Sequence, residues 1–117
     1  MRKTYRYKNL VFPVSEDTEV FFEIEFISDG NMGQSIINVP GPNDKEISNS
    51  GIKLIGKGKD LRGDSTICFS DIENAIPSED EIIINYKIND ELIVKHSNLK
   101  SEEERPIIVL SIKFPVS

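Results

Sequence analysis

Apolar side chains recur at every second position in three stretches of the chain. Between residues 19 and 26 the alternate positions are Val20, Phe22, Ile24 and Phe26. In a strand this spacing places all four side chains on one face, whereas a helix would spread them around its circumference. Residues 82–88 and 108–114 repeat the pattern. The sequence therefore predicts three strands, each buried on one face.

Five further strands are predicted from shorter runs that are rich in β-branched and aromatic residues. They lie at residues 5–12, 35–39, 52–55, 66–72 and 92–96. Turn-forming residues separate the strands at 29–31, 40–44, 49–51 and 77–78. No window of a dozen residues has helical periodicity, and the acidic residues 101–104 are expected to form one helical turn at most.

A hairpin is predicted around Asn89, and its loop length decides which side chains share a face. A two-residue loop would turn Leu92 toward the polar side of the hairpin. A three-residue loop, 89–91, pairs Tyr86 with Val94 and gathers the apolar side chains on one side. The sequence favours the three-residue loop, with its third residue near the left-handed backbone region.

These strands describe an all-β protein of one domain. The length of 117 residues suits a single core, and the contents of 38% hydrophobic and 29% charged residues are those of a globular chain. We predict a single-domain antiparallel β-sandwich of about eight strands over residues 1–117, immunoglobulin-like in outline. The Cys–Trp–Cys signature of antibody domains is absent. A small β-barrel is the alternative, because strand spacing alone does not separate the two.

The charge of the chain is unevenly distributed. The net charge is −6, yet the first eight residues hold four of the 14 basic side chains and no acidic one. An acidic body disfavours nucleic acid as a partner, because contacts to phosphate need a basic surface. The basic opening segment is expected to meet an acidic patch, either on the same molecule or on a neighbour.

The segment at residues 56–66, GKGKDLRGDST, resembles several functional motifs without matching any of them. Gly58 and Gly63 have the separation of a Walker-type phosphate loop, but Asp64 occupies the lysine position and would repel phosphate. A dinucleotide-binding pattern fails at Leu61, where its third glycine would stand. The embedded RGD tripeptide is too short to indicate integrin binding. The segment is predicted to be a connection between two strands.

The remaining reactive side chains do not form a recognisable site. Cys68 and His96 are the single cysteine and the single histidine, so a cysteine- or histidine-based zinc site is excluded. The acidic runs at 16–17, 79–81 and 102–104 lack the spacing of a calcium loop. The sequence therefore predicts no catalytic, cofactor-binding or metal site, no cofactor and no enzyme activity. A hydrolase with unpatterned carboxylates is kept as a third reading of the chain.

The chain also lacks the pattern of a secretory or membrane segment. The basic residues at the start are not followed by an apolar stretch long enough for a signal peptide, and no run approaches the length of a membrane span. If Met1 is the native start, we expect a cytoplasmic protein that does not bind membranes.

The first strand is the candidate partner-binding element. Tyr5 and Tyr7 share one side of this strand with Lys3, whereas Arg6 and Lys8 occupy the other. A basic strand with two tyrosines is suited to extending the sheet of a partner or to forming the seam of a homodimer. The alternative is that both rings are half-buried and close the sandwich.

These observations lead to two expectations for function. The first is a non-catalytic interaction or assembly module that binds another protein or a second copy of itself. The second is a small-ligand or carbohydrate-binding domain, which the lack of Trp and the small number of tyrosines make less attractive.

Overall fold

The computed structural model describes residues 2–41 and 44–116 and contains nine strands. The strands are β1 (Thr4–Val11), β2 (Glu19–Phe26), β3 (Asn31–Asn38), β4 (Lys45–Ser48), β5 (Gly51–Lys57), β6 (Ser65–Asn74), β7 (Glu81–Ile88), β8 (Glu91–Leu99) and β9 (Ile107–Lys113). One helical turn, α1 (Gly58–Leu61), lies between β5 and β6. The all-β prediction is confirmed, with one strand more than expected.

The nine strands form two packed sheets. Sheet A has the strand order β1-β9-β6-β3-β4, and sheet B has the order β5-β2-β7-β8. Neighbouring strands are antiparallel except for β1 and β9, which pair in parallel. The predicted sandwich is therefore confirmed, and the small barrel is not what the chain forms. The additional strand is β4, which pairs with β3 at one edge of sheet A.

The core lies between the two sheets and is built from the alternating residues. Val20, Phe22 and Ile24 of β2 are fully buried, as are the inward-facing residues of β7, Ile82, Ile84, Tyr86 and Ile88. Strand β9 contributes Ile108 and Leu110 from the facing sheet. Because each of these strands buries every second side chain, the period-two pattern was a correct guide to the inner faces.

The β7–β8 hairpin differs from the prediction. Its loop is the two-residue turn of Asn89 and Asp90, which both have positive φ, at 48° and 66°. Two residues with positive φ are the signature of a type I′ turn, which matches the right-handed twist of a hairpin. The pairing of Tyr86 with Val94 is nevertheless as expected, because a bulge between Tyr86 and Lys87 shifts the register by one residue. Leu92, expected on the apolar side, is therefore exposed.

Other local predictions have mixed outcomes. The five weaker strands correspond to β1, β3, β5, β6 and β8, each with somewhat different ends. The predicted turn at 40–44 includes Pro42 and Asn43, which lie outside the described residues. Residues 101–104 form a turn without a helix, in which the amides of Glu102 and Glu103 both donate to the carbonyl of Leu99, at 3.0 and 3.1 Å.

Candidate interaction surface

The structure separates the five predicted partner-binding residues into two groups. Strand β1 is an edge strand of sheet A, and its side chains alternate between the inside and the outside of the sandwich. Tyr5 and Tyr7 point inward and are half-buried, whereas Arg6 and Lys8 are exposed on the outer face. Lys3 is exposed beside Glu102, with 3.8 Å between the ammonium and the carboxylate.

The two tyrosines cover a buried histidine. The rings of Tyr5 and Tyr7 stand edge-on to the imidazole of His96, with centroid distances of 4.8 and 5.9 Å. The hydroxyl of Tyr7 lies 2.7 Å from Nδ1 of His96, and Oδ1 of Asn98 lies 2.7 Å from Nε2. The hydroxyl of Tyr5 donates to Glu102. Tyr5 and Tyr7 therefore close this side of the sandwich, as the alternative reading of the strand expected.

The hydrogen bonds of Asn98 determine which nitrogen of His96 carries the proton. The side-chain amide of Asn98 donates to the carbonyls of Leu99 and Glu103, both at 2.9 Å, so its Oδ1 is left as an acceptor. Nε2 of His96 must then donate to Asn98. In a neutral imidazole Nδ1 is the acceptor, and it receives the hydroxyl proton of Tyr7.

Burial shifts the acidity of this cluster. Desolvation lowers the pKa of His96, although the hydrogen bond to Asn98 and the charge of Glu102 oppose the shift. Desolvation also raises the pKa of Tyr7, and desolvation together with the hydrogen bond to Glu102 raises the pKa of Tyr5. At neutral pH the cluster is therefore an uncharged imidazole under two neutral phenols. None of its groups is both exposed and activated for catalysis.

Part of the basic opening segment is neutralised within the molecule. Arg2 forms an ion pair with Asp71 at 2.5 Å, and its Nε donates to the carbonyl of Arg105 at 2.7 Å. This contact lowers the pKa of Asp71. The backbone amide of Lys3 donates to the carboxylate of Glu103. No ion pair of Arg6 or Lys8 is found within residues 2–41 and 44–116, so these two cations are the part of the segment that faces outward.

Arg6 lies at one end of a row that crosses the outer face of sheet A. Its neighbour on β9 is Val109, which pairs with Phe69 on β6. Phe69 pairs with Ile36 on β3, and Ile36 pairs with Glu46 on β4. Val109, Phe69 and Ile36 are called the apolar row below. The row has a cation at one end and a carboxylate at the other.

The apolar row is exposed to an unusual degree for central strands. Phe69 and Ile36 are each 43% exposed, and Ile67, the preceding outward residue on β6, is 41% exposed. The outer face of sheet B also carries exposed apolar residues: Phe21 of β2 pairs with Leu54 of β5, and Ile52 follows on the same side of β5. The apolar row of sheet A crosses three adjacent strands, whereas the pair on sheet B spans two, so the wider exposed apolar row of the described sheets is on sheet A.

Shallow concavities flank the apolar row on both sides. One of about 540 Å³ lies beside Phe69 and Ile36 and is bordered by Asp71, Glu73 and Arg105. Another of about 290 Å³ lies beside Val109, between Ile67 and the basic side chains of β1. Both are open to solvent. The face therefore has a central ridge of apolar side chains with a depression on each side, a shape that complements another protein surface better than a small molecule.

The GKGKDLRGDST segment closes one end of the sandwich. Leu61 of its helical turn is buried, and a Cβ placed on Gly58 would lie 1.9 Å from the carbonyl oxygen of Ser15. The amides of Gly58 and Lys59 donate to carbonyls of the Glu16–Thr18 region, and that of Gly63 donates to Phe114. Because these amides are used inside the molecule, they do not form a phosphate cradle. The prediction of a strand connection agrees with this packing.

The single cysteine has no reactive environment. Cys68 is fully buried on the inner face of β6, and burial raises the pKa of its thiol to about 12. The described residues contain no group of three histidine, cysteine or acidic side chains arranged to hold a metal ion.

Comparison with known proteins does not assign the chain to a family. No protein-family model, no curated protein and no solved structure matches it significantly. Within the described residues, no helix has the length and apolarity needed to cross a membrane.

Three members of this surface were missed by the analysis of the sequence, although a signal for them exists. Ile36, Phe69 and Val109 stand in runs where neighbouring positions are both apolar, as in Ile36–Ile37 and Ile67–Phe69. A strand with apolar residues at both odd and even positions has two apolar faces. These runs form one apolar surface only if their strands are neighbours in the sheet. The order of the strands shows this, and the sequence does not.

Proposed function

We propose that the chain is a non-catalytic interaction or assembly module that binds another protein through the outer face of sheet A. The observation that carries the proposal is the exposed apolar row across three adjacent strands, with Arg6 at one end and Glu46 at the other. Removing such side chains from water stabilises a complex by roughly 25 cal/mol per Å² of apolar surface. Charged ends give the contact an orientation.

The outer face supports this function better than the free edge of β1. Asn9 in this strand has a φ of 62°, and the pairing with β9 shifts between Tyr7 and Leu10. Irregularities of this kind interrupt an edge and hinder the addition of another strand. In this proposal the exposed cations Arg6 and Lys8 form the basic border of the binding face.

We also propose that the sandwich is immunoglobulin-like in outline. The order β9-β6-β3-β4 corresponds to the G-F-C-C′ order of that fold, and β2 with β5 corresponds to its B and E strands. The β7–β8 hairpin departs from this outline, because it comes between the counterparts of F and G in the sequence and pairs with β2.

The proposal is tested by comparing matched substitutions on the two outer faces. Phe69→Ser removes the centre of the apolar row, whereas Phe21→Ser removes an aromatic ring of similar exposure, 38% against 43%, from sheet B. Wild type and both variants would be immobilised at equal density and exposed to a lysate of the source organism. Captured proteins would be quantified by mass spectrometry, and self-association would be measured separately.

The expected result is binding, to another protein or to the chain itself, that Phe69→Ser reduces at least fivefold and Phe21→Ser leaves within twofold. Circular dichroism of each variant checks that the sandwich is intact. Binding that both variants retain equally, or no binding of any kind, would refute the assignment of function to this face.

A small-ligand or carbohydrate-binding domain is the second candidate. It is supported by the concavity of about 540 Å³ beside Phe69, which has the volume of a ligand site and is bordered by Asp71 and Arg105. Its open shape favours the first proposal. Thermal-shift measurements with panels of sugars and metabolites test the alternative, and a stabilising ligand whose effect is lost in Arg105→Ala would favour it.

A further inference from the structure

We infer that the partner of this face is a second copy of the chain, related to the first by a two-fold axis that runs along β6 in the plane of the interface. The inference rests on the proposed function of the outer face of sheet A and names the occupant. It follows from the symmetry of the sheet and from the charges at its two edges.

The symmetry argument begins with the position of β6. It is the third of five strands, with β1 and β9 on one side and β3 and β4 on the other. When two copies of this face meet around an axis along β6, the β1 edge of one copy lies opposite the β4 edge of the other. A two-fold interface of this kind is formed by the same patch on both subunits.

The charges on the two edges are complementary in this arrangement. Arg6 of one copy lies opposite Glu46 of the other, and the same pair forms again on the far side of the axis. Lys8, two residues beyond Arg6, similarly lies toward Asp44, two residues before Glu46, and both are exposed. Each copy therefore contributes a basic edge to an acidic edge of its partner.

The apolar row is also self-complementary around this axis. Phe69 lies next to the axis and meets Phe69 of the other copy, and Val109 of each copy meets Ile36 of the other. The row then forms a continuous apolar strip between the two charged borders. Sheets that pack face to face cross at about 30°, and an axis in the interface plane allows this angle.

An axis across the strands would give a different result. It would place Arg6 opposite Arg6 and Glu46 opposite Glu46, which brings like charges together on both edges. The charge pattern therefore selects between the two ways of pairing the same face. A different protein would need its own acidic and basic edges at the same separation to match the face equally well.

Two acidic residues lie close to the proposed axis. Asp71 and then Glu73 follow Phe69 on the outer side of β6, and each would approach its counterpart in the second copy. Within each copy Asp71 forms an ion pair with Arg2, and Glu73 forms one with Arg105 at 3.5 Å. Each of these carboxylates is therefore countered by a cation of its own copy.

The size of the face indicates a weak dimer. Five strands about 4.8 Å apart and about seven residues long cover roughly 500 Å² per copy. Two copies would bury about 1,000 Å², which is at the lower limit of specific interfaces. We expect dissociation in roughly the 100 μM range, with weaker association at high salt because the charged borders are exposed.

Charge reversal provides the test. Arg6→Glu and Glu46→Arg are each expected to weaken self-association about tenfold, because each replaces two attractive contacts per dimer with two repulsive ones. An equimolar mixture of the two variants should associate as well as wild type does, since every border contact is then attractive again. Lys95→Glu on sheet B makes the same change of charge away from the face and is the matched control.

Sedimentation equilibrium between 10 μM and 1 mM gives the dissociation constants. Phe69→Ser is expected to abolish the dimer over this range, and Phe21→Ser to leave it within twofold. A wild type that is monomeric at 1 mM overturns the inference. So does a dimer that Phe69→Ser does not weaken, or a mixture that associates no better than its two components.

These outcomes are distinguishable from failure of the proposed function. A monomeric wild type that still captures another protein in a Phe69-dependent manner overturns the second copy as partner and leaves the interaction module standing. A monomer that captures nothing refutes both. A dimer whose affinity follows the charge-reversal pattern supports both.

Discussion

Acid is expected to destabilise the sandwich through His96. The imidazole is fully buried, donates from Nε2 to Asn98 and accepts at Nδ1 from Tyr7, so the folded protein holds it neutral. Desolvation lowers its pKa below the ordinary value of 6.5. The other titratable groups around it are Tyr5 and Tyr7, which stay neutral, and Glu102, whose charge works in the opposite direction.

The sign and the limit of this effect follow from proton linkage. A group whose pKa is lower in the folded state contributes its full stability above the unfolded pKa and loses it as the pH falls to the folded pKa. The pH range in which His96 affects the free energy of unfolding therefore begins at about pH 6.5 and extends to lower pH. Each unit of difference in pKa is worth about 1.4 kcal/mol, so His96 can remove at most about 2 kcal/mol by pH 5. For a domain of this size that loss lowers the Tm by roughly 8 °C.

The assay is urea unfolding at pH 7.5, 6.5, 5.8 and 5.0, at a protein concentration of about 5 μM so that self-association does not contribute. His96→Gln removes the titrating group. We expect its free energy of unfolding to be lower than that of wild type at pH 7.5 and the difference to narrow toward pH 5. Lys95→Gln, at the exposed position next to His96, keeps the histidine. Its free energy of unfolding should change with pH as that of the wild type does.

Carboxylates do not interfere with this comparison. The pKa of Asp71 is lowered by Arg2 and that of Glu25 by Asn85 and Lys87, so their contributions are lost at more acidic pH, near and below their ordinary values. Both carboxylates remain in the His96→Gln variant. Parallel curves for wild type and His96→Gln between pH 6.5 and 5.0 would refute the assignment of a neutral, buried histidine.

The remaining predictions concern the hairpin turn and the core. Asp90 has a φ of 66°, so Asp90→Gly is expected to raise the free energy of unfolding by about 0.5–1 kcal/mol, whereas Glu91→Gly within β8 should lower it; the opposite order in urea unfolding would support the three-residue loop. Ser70→Ala removes the buried hydroxyl that accepts from Tyr86 at 2.9 Å and should cost about 1–3 kcal/mol. Adding Tyr86→Phe should recover part of the loss, and an additive double mutant would contradict this account.

The inner faces of the sandwich could be predicted because the alternation within each buried strand shows which of its side chains face the core. Val20, Phe22 and Ile24 alternate with polar or charged residues, so the inner face is determined without knowledge of the neighbouring strands. Strand β4 gives no such signal. It has four residues, of which only Ile47 is apolar and buried, and it is a strand because the edge of β3 provides hydrogen-bond partners.

The hairpin shows why a correct pairing can follow from an incorrect loop. The requirement that Val94 and His96 lie on the inner side was inferred correctly. The extra residue needed to meet it was assigned to the loop, but in the structure it is Ile93 of β8, which forms a bulge opposite the step from Tyr86 to Lys87. A type I′ turn and a bulge together satisfy both the twist of the strands and the burial of Val94. Alternation alone does not distinguish the two solutions.

The candidate surface was predicted only in part, for a topological reason. Arg6 and Lys8 were correctly placed on the side of β1 opposite the tyrosines, but the tyrosines themselves cover His96. The apolar row joins residues 36, 69 and 109, which are far apart in the sequence. They become neighbours because β3, β6 and β9 are adjacent in sheet A. Sheet order with a parallel β1–β9 pair was not available from local patterns.

The apolar row lies outside the core of a single copy. The inner faces of the same strands already supply the core through Ile37, Cys68 and Leu110, and polar outward side chains would solvate the sheet equally well. On sheet B the outward positions of β2 are mostly glutamates, and the exposed apolar pair of Phe21 and Leu54 spans two strands only. Apolar side chains that are exposed to water in the monomer lower their free energy when a second surface covers them. Oppositely charged borders on either side of the row favour a surface with the same pattern reversed, and a second copy provides it.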